Sequence, residues 1–404
     1  MTAHIIFFIL VAFALLGDAR IFLFIMNRVV FGDHRQERSP WTPLLYFVPP
    51  VLLFLTALFW PLHRWIRWFM ERQFVENMTP DRVERVIGSV PAAKLGLFWL
   101  ITSACIGVYW LVDRAYRNAH PEKVRGVREG PSTVVKLRKA HMPIALLRRL
   151  GAHNDVYDIE VTRNEVLIDD LPEAFDGYRV AFLTDTHVAG FVRRQFYRAV
   201  VDQVNRFDPD LILLGGDFVT WRRHIPLMAD VLLTDLKARD AVLAVLGNHD
   251  YWANGDEVKA AMSAKGVQFI INKSHVIRRN GAELPVVGID EVYRGEPDVD
   301  AAFAGVKRGP RIGVTHHPDL IDQVDDRRID LLVCGHTHGG QIRLPFFGPL
   351  IVPSKHEGRY AAGFHRVGEV LLYVSRGIGA IPPIRILCRP EVATFTLRRG
   401  SRNR

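Results

Sequence analysis

The stretch VLAVLGNHDYW (residues 242–252) begins as an apolar run and ends in three hydrogen-bonding residues, Asn248, His249 and Asp250. A short Val- and Leu-rich run of this kind predicts a buried strand. A buried strand gains no stability from a polar tip, because polar groups lose hydration on burial. The tip therefore points to function, and similar strand ends elsewhere in the chain would indicate a shared site.

Four other apolar runs end in residues of the same kind. They are YRVAFLTDTH with Asp185 and His187, DLILLGGD with Asp217, RIGVTHHPD with His316, and DLLVCGHTHGG with His336 and His338. Any one of these tips alone would be an ordinary turn. Recurrence at five strand ends predicts a convergent cluster, because loops at strand ends form the ligand crevice of layered α/β folds.

Helical patterns separate these runs, most clearly at residues 193–207 and 225–240. Continuous Val, Ile and Leu strands alternating with helices predict an α/β fold with a sheet buried on both faces. Ahead of them, VYDIEVTRNEVLIDDLP (156–172) has the alternation and turn residues of a β-hairpin. We therefore expect one globular domain over residues 155–404.

The candidate ligands offer carboxylate, amide and imidazole groups but no thiolate. Such groups suit Mn²⁺, Fe or Zn²⁺ better than a soft metal. Seven of these nine residues would offer eight ligand positions if one carboxylate is shared. That number predicts two divalent cations, with Mn²⁺ preferred. The three cysteines lack CxxC spacing, so neither a disulfide framework nor a thiolate zinc site is expected. Cys334, in a strand-like run, is expected to be a buried strand residue.

The first 112 residues have a different character. Apolar stretches at 4–26, 42–62 and 94–112 approach the length of about 20 residues that a membrane-spanning helix needs. We interpret residues 1–112 as a helical membrane region of about three spans; core helices of a soluble domain are the alternative. The first stretch is interrupted by Asp18 and Arg20, so it could instead only dip into the bilayer.

Charge is distributed unevenly along the chain. Residues 1–150 carry 20 Lys and Arg against 10 Asp and Glu, whereas the remainder carries 32 against 33. The excess accompanies the apolar stretches, which favours an anionic membrane surface over nucleic acid. Residues 113–154 are accordingly predicted to be a basic juxtamembrane linker, either close to lipid headgroups or simply solvated.

Basic residues also predict the orientation in the membrane. With three spans, thirteen Lys and Arg fall on the side of the C-terminal domain and six on the other. The excess predicts a multi-pass protein of the inner (cytoplasmic) membrane with its catalytic domain on the cytoplasmic side. If the first stretch does not span, the prediction reverses.

The motif series DTH, GGD, GNHD, HHP and GHTH resembles the calcineurin-like metallophosphoesterase superfamily over roughly residues 155–400. Within it, GHTHGGQIRLP (335–345) and SRGIGAIPPIRILCRPE (375–391) are similar to the bacterial YkuE/YaeI-type phosphoesterases, some of which have N-terminal membrane segments. The resemblance implies a four-layer α-β-β-α sandwich, here preceded by the helical membrane region.

The resemblance also implies roles for the motif residues. One metal would be held by Asp185, His187 and His338, and the second by Asn248, His316 and His336. Asp217 would bridge the two metals.

The remaining motif residues are implied to act on substrate. His249 is similar to the superfamily's catalytic histidine, which contacts phosphate and protonates the leaving oxygen. Asp250 would orient the His249 ring through its other nitrogen. His317 stands where relatives often carry Asn, so His316 is preferred as the ligand.

These observations predict a membrane-anchored dinuclear phosphoesterase that cleaves a phosphodiester or pyrophosphate bond. Its expected partners are membrane lipids and a phosphate-ester substrate, lipid-linked or close to the bilayer. UDP-2,3-diacylglucosamine is one specific candidate substrate, and a catalytically silent metal-binding sensor or scaffold is the alternative function. No nucleic acid partner is expected, and the oligomeric state is left open. The arginines at 193–194 and 222–223 are either solvated helix charges or contacts for substrate phosphates or lipid headgroups.

Overall fold

The computed structural model describes residues 17, 101–113, 116, 124–137, 151, 153–324, 329–345, 347–349, 351–356 and 358–400. The chain divides into two compact units, 1–121 and 122–404. In the first unit, residues 101–113 are helical. Across the described ranges, none of the helices combines the length and hydropathy needed to cross a membrane. Of the three predicted spans, the described residues include only residue 17 of the first and residues 101–112 of the third, and none of the second.

The described part of the second unit contains sixteen strands in two large sheets and one two-stranded ribbon. The strands are β1 (Val127–Glu129), β2 (Thr133–Lys136), β3 (Asp158–Asp169), β4 (Arg179–Leu183), β5 (Leu211–Leu214), β6 (Ala241–Ala244), β7 (Gln268–Phe269), β8 (Lys273–Arg279), β9 (Ala282–Gly288), β10 (Ile312–Val314), β11 (Leu331–Cys334), β12 (Arg343–Leu344), β13 (Gly348–Pro349), β14 (Gly363–Val367), β15 (Val370–Val374) and β16 (Glu391–Gly400).

The first sheet has the order β1-β3-β16-β4-β5-β6-β7, with β2 also paired to β3, and the second has the order β14-β15-β11-β10-β9-β8. Strands β4 to β7 are parallel to one another, as are β9, β10, β11 and β15. Parallel pairing brings the carboxyl ends of the central strands to one edge of each sheet.

Five α-helices connect the strands of this unit in its described part: α1 (Arg194–Phe207), α2 (Ile225–Met228), α3 (Asn248–Ser263), α4 (Val299–Phe303) and α5 (Ile321–Val324). The helix predicted at 193–207 is confirmed as α1. The helix predicted at 225–240 is shorter, since α2 continues only into a π-helical turn over Ala229–Leu233.

Three hydrophobic clusters define the layers. The central cluster contains side chains of both sheets, among them Phe182 and Leu213 from the first and Val286 and Val333 from the second, so the sheets pack face to face. A second cluster joins the outer face of the first sheet to α1 and α3, for example through Phe196. A third cluster covers the outer face of the second sheet with α4 and α5. The unit is thus a mixed α/β fold with helices outside two packed sheets.

Two expectations about the start of the domain are corrected. The predicted hairpin at 156–172 is one continuous strand, β3, because β16 pairs with it along ten residues. Strands β1 and β2 pair with the other edge of β3. These two strands fall within the predicted linker, so the folded domain begins before residue 155. The linker residues 138–150 lie outside the described part.

Candidate functional site

The structure brings the seven predicted ligands together at the carboxyl edge of the two sheets. Asp185 and His187 follow β4, Asp217 follows β5, Asn248 follows β6, His316 follows β10, and His336 and His338 follow β11. Because the sheets pack face to face, loops from β4, β5 and β6 meet loops from β10 and β11. The run at residues 242–252 ends in polar residues because it supplies one side of this cluster.

The first group comprises Asp185, His187 and His338, whose ligand atoms lie within 4.8 Å of one another. The Nε2 atoms of His187 and His338 face each other at 3.1 Å, and their rings stack with centroids 4.9 Å apart. Nε2 of His338 lies 3.6 Å from Oδ1 of Asp185. Three potential ligand atoms therefore surround one point.

The second group comprises Asp217, His316 and His336. Nε2 of His316 lies 3.1 Å from Nδ1 of His336, and Nδ1 of His316 donates to the carbonyl of Gly215 at 2.8 Å. That bond keeps a proton on Nδ1 and turns Nε2 towards the centre. Oδ1 of Asn248 is buried and has no hydrogen-bond partner in the described structure.

Asp217 lies between the two groups. Its Oδ2 is 3.5 Å from Nε2 of His187 and 3.4 Å from Nε2 of His316. Its Oδ1 accepts the backbone N–H of His249 at 2.8 Å. One carboxylate oxygen thus faces ligand atoms of both groups, while the other fixes the orientation of the carboxylate.

The backbone is strained at five of the predicted ligands. The φ angle is 53° at Asp185, 42° at His187, 54° at Asp217, 68° at His336 and 52° at His338. Non-glycine residues adopt this left-handed region at an energetic cost, and such residues concentrate at functional sites. The strain allows successive residues of one loop to point into the same small volume.

Three of the four histidines among the predicted ligands are neutral at physiological pH. Burial lowers the pKa of His187 to about 3 and holds the pKa values of His336 and His338 well below their usual range. Burial would also lower the pKa of His316, but the charge and hydrogen bond of Asp217 raise it to about 10. Neutral imidazoles accept a cation directly, whereas His316 must first release its Nε2 proton.

Two divalent cations fit this arrangement. Facing ring nitrogens and the unpartnered Oδ1 of Asn248 are uncompensated acceptors in a buried site, and a carboxylate oxygen of Asp217 lies close to both groups. Buried acceptors without donors are costly, and a cation satisfies them. Oxygen and imidazole donors suit Mn²⁺, Fe and Zn²⁺ alike, so the donor set leaves the choice of metal open.

His249 lies beside the first group, and one of its ring nitrogens is within 4.8 Å of ligand atoms of His187 and Asp217. Its ring packs edge-on against His187 at 4.7 Å and against the half-exposed Trp252 at 4.6 Å. Burial lowers the pKa of His249, and the charge of Asp217 partly offsets that effect. His249 is thus a neutral imidazole beside the metal-ligand positions.

Asp250 does not orient His249 as expected. Its carboxylate accepts the backbone N–H groups of Gly247 at 2.9 Å and of Phe218 at 2.8 Å. Asp250 is the third residue of α3, so its side chain reaches back to cap the start of that helix. The residue joins the loops after β5 and β6, which hold Asp217 and Asn248.

Two buried residues at the site were not anticipated. Arg385 is fully buried and donates to the carbonyls of Gly379, Arg376 and Cys388, and its Nη2 lies 3.4 Å from Nδ1 of His338. It supports a loop in which the N–H of Gly379 bonds the carbonyl of Asp185. Nothing in the sequence distinguishes Arg385 from a surface arginine.

Glu291 is the second unanticipated residue. It is fully buried, its Oε2 accepts the N–H of Tyr293 and of Arg294, and its Oε1 has no partner in the described structure. Burial raises its pKa to about 7. Glu291 follows β9 in the run VVGIDE (286–291). This apolar run with an acidic end has the same pattern as the five strand ends above and could have indicated Glu291.

The other sequence candidates have ordinary surroundings. Arg194 pairs with Asp230 at 2.8 Å, and Arg222 pairs with Glu257. Cys334 is confirmed as a buried strand residue.

Known proteins share this sequence pattern. The sequence model of the calcineurin-like phosphoesterase family matches residues 178–340. An uncharacterized metallophosphoesterase of Bacillus subtilis, YkuE, is 32% identical over 248 residues, which is 59% of this chain and 86% of that relative. The chain belongs to the calcineurin-like phosphoesterase family. It is a metallophosphoesterase, a hydrolase of phosphate esters, and the family match spans all seven ligand positions.

Two further relatives extend the comparison. The phosphodiesterase YaeI of Escherichia coli is 31% identical over 225 residues, covering 54% of this chain and 82% of that relative. A zebrafish (Danio rerio) relative named transmembrane protein with metallophosphoesterase domain is 29% identical over 272 residues, covering 63% of this chain and 61% of that protein.

Proposed function

We propose that this metallophosphoesterase is a dinuclear phosphodiesterase that cleaves a phosphodiester or pyrophosphate bond in a lipid-linked or membrane-proximal substrate. The observation that carries the dinuclear proposal is the position of Asp217, whose Oδ2 lies 3.4 Å and 3.5 Å from imidazole nitrogens of two separate groups. A mononuclear site has no use for a carboxylate between two sets of ligands.

The proposed ligands divide as the two groups do. Asp185, His187 and His338 would hold one cation, and Asn248, His316 and His336 the other, with Asp217 shared. When bound, the two cations would lower the pKa of a water molecule and neutralise charge on a phosphoryl group.

His249 would protonate the leaving oxygen. Its ring lies beside the first group, and its pKa is lowered by burial, so it is neutral without substrate. A phosphodiester anion would bring a negative charge next to the ring and favour the protonated form. Substrate binding would therefore favour protonation of His249, and the leaving alcohol oxygen would take up that proton.

Placement at the inner membrane rests on the sequence of residues 1–112 and on the surplus of basic residues near it. The name of the zebrafish relative, a transmembrane protein with metallophosphoesterase domain, supports membrane anchoring in general. The count of thirteen basic residues against six favours the cytoplasmic side for the catalytic domain.

The test is metal content and hydrolysis of bis(p-nitrophenyl) phosphate by the detergent-purified chain, alongside His249→Ala and Asp217→Asn. We expect two metals per chain in the wild type, two metals without turnover in His249→Ala, and loss of both metal and turnover in Asp217→Asn. Two metals without turnover in the wild type, on this substrate and on UDP-2,3-diacylglucosamine, would favour a binding role. A chain that retains no metal would refute the proposal.

A further inference from the structure

Exposed hydrophobic side chains are concentrated at one edge of the catalytic unit. Among its described residues, the large hydrophobic side chains that are exposed are Leu137, Phe191, Trp221, Trp252, Leu344, Ile351 and Leu387. Single exposed hydrophobic residues are normal, but several grouped around one site indicate a binding surface.

The three aromatic residues lie on the loops that carry metal ligands. Phe191, Trp221 and Trp252 each come four residues after a predicted ligand, following His187, Asp217 and Asn248 respectively. Phe191 and Trp221 touch edge-to-face with ring centroids 5.5 Å apart, although they belong to different loops. These aromatic side chains therefore border the candidate site.

Leu344, Ile351 and Leu387 lie around the loop that carries His336 and His338. Leu387 follows Ile386, which bridges to Ile342, and precedes Cys388, whose thiol donates to the carbonyl of His338 at 3.1 Å. Leu344 ends β12, two residues after Ile342. The backbone of Ile351 lies against Gly340, since a Cβ built there would be 3.0 Å from the Ile351 carbonyl.

Strand register places Leu137 at the same edge. It follows β2, and its N–H bonds the carbonyl of Tyr157 just before β3. The start of β3 pairs with the start of β16, and the start of β16 pairs with the carboxyl end of β4. All seven exposed hydrophobic side chains thus lie at the metal-bearing edge. We call these seven side chains the apolar rim.

Arginines accompany the aromatic residues of the apolar rim. The guanidinium of Arg223 lies 5.1 Å from the ring centre of Trp221, and that of Arg294 lies 5.5 Å from that of Trp252. Arg223 is exposed and makes no ion pair within the described residues, whereas the adjacent Arg222 is paired with Glu257. Arg223 is therefore free to contact an anion.

This combination matches a lipid surface. Tryptophan is enriched at membrane interfaces, where its ring sits at headgroup level. Arginine next to it complements the negative surface of a cytoplasmic leaflet. The apolar side chains are spread over loops around the site instead of forming one groove, and a fluid surface accommodates dispersed side chains through shallow insertion.

We propose that the apolar rim docks the catalytic edge onto an anionic bilayer, so that a phosphoester in the headgroup layer enters the metal site directly. The proposal deepens the function proposed above and rests on it for the identity of the reaction. It separates two kinds of substrate, since a water-soluble diester needs no docking.

The experiment compares two substrates for the full-length protein reconstituted with vesicles that contain phosphatidylglycerol. One is bis(p-nitrophenyl) phosphate in solution, and the other is a p-nitrophenyl phosphodiester of diacylglycerol in the vesicles. We expect the double variant Trp221→Ser with Leu387→Ser to lose at least about tenfold on the lipid substrate and to keep its rate on the soluble one. Arg223→Gln should lose about fivefold on anionic vesicles only, while the matched control Arg222→Gln should not.

Quenching by brominated lipids provides a readout that is independent of turnover. The emission of Trp221, obtained as the difference between wild type and Trp221→Phe, should be quenched when the bilayer carries bromine in the upper acyl chain. Unquenched emission, or an equal loss on both substrates, would overturn the docking proposal. If the wild type turns over neither substrate while Trp221 is quenched, the catalytic proposal fails and docking stands.

Discussion

Both edges of the first sheet carry polar residues, but the two edges use them differently. Asp210 and Asp240 precede β5 and β6, whereas Asp217 and Asn248 follow the same strands. At the amino edge, Asp210 accepts the N–H of Arg179 at 2.8 Å and the guanidinium of Arg279 at 2.9 Å. At the carboxyl edge, Oδ1 of Asn248 has no partner within the described structure.

The amino edge is a closed network. Arg279, at the end of β8 in the second sheet, also binds Asp240 at 3.1 Å and stacks over Tyr178, whose hydroxyl donates to Asp240 at 2.9 Å. It therefore links the two sheets. Fully paired charges stabilise the fold, whereas unpaired acceptors and strained backbone are typical of a ligand-binding site. We accordingly expect substitutions at the carboxyl edge to reduce metal binding and activity, and substitutions at the amino edge to reduce stability without affecting activity.

The largest effect is expected for Asp217→Asn. The change should lower phosphodiesterase activity at least about 100-fold, because residues that merely orient metal ligands already cost about 10- to 100-fold when replaced. It should also abolish the rise in thermal midpoint that Mn²⁺ gives the wild type, because the shared ligand is lost. Activity assays and thermal unfolding of metal-free and metal-loaded protein test this; a variant that keeps both wild-type activity and the metal-dependent rise would contradict it.

Arg385→Met should weaken metal binding by about 10- to 100-fold, the range observed for residues that support ligands. The variant removes the donors that hold the loop against Asp185 and leaves carbonyls such as that of Gly379 without a partner. Isothermal titration with Mn²⁺ measures the change. Arg398→Met is the matched control, because Arg398 pairs with the partly exposed Glu165 in a remote part of the sheet. Equal metal affinity in both variants would refute a role for Arg385.

Asp210→Asn should show the reverse pattern to Asp217→Asn. We expect a loss of about 1–3 kcal/mol in the free energy of unfolding, because guanidinium donors lose their charged acceptor. Metal content and activity should not change. Asp208→Asn is the control, since Asp208 is more than half exposed and its ion pairs should contribute less than about 1 kcal/mol. Comparable losses in both variants would argue against the closed network.

The smallest effect is the pH dependence of that loss. Burial would raise the pKa of Asp210, but its hydrogen bonds from Arg179 and Arg279 hold it below the usual 3.8. A lowered folded-state pKa stabilises the protein above the unfolded-state pKa, and this contribution disappears as pH falls through the folded value. The stability gap between wild type and Asp210→Asn should therefore be constant from pH 7 to about 5 and shrink below about 4. A gap that widens in acid would contradict the assignment.

Strand ends were the most predictable feature. The apolar runs before Asp185, Asp217 and Asn248 are strands, and the structure brings their tips together, because parallel strands present their carboxyl ends at one edge. Metal ligation itself stays a prediction.

Features that depend on long-range pairing were not predictable. The alternation in β3 is the same for a hairpin and for a single long strand, and only β16, more than 200 residues away, decides between them. The role of Asp250 depends on where a helix begins, since its carboxylate turns back to the N–H of Gly247, the residue before α3. Arg385 required knowledge of the carbonyls around it.

The position of β16 has a consequence for biosynthesis. β16 lies between β3 and β4, so these two strands, consecutive in sequence, each pair with β16 and not with each other. As the ribosome makes the chain from its amino terminus, β1, β2 and β3 emerge early but cannot join β4 before residues 391–400 are synthesised. The edges of β3 and β4 that β16 covers must therefore remain exposed, and open to wrong partners, until residues 391–400 have been made.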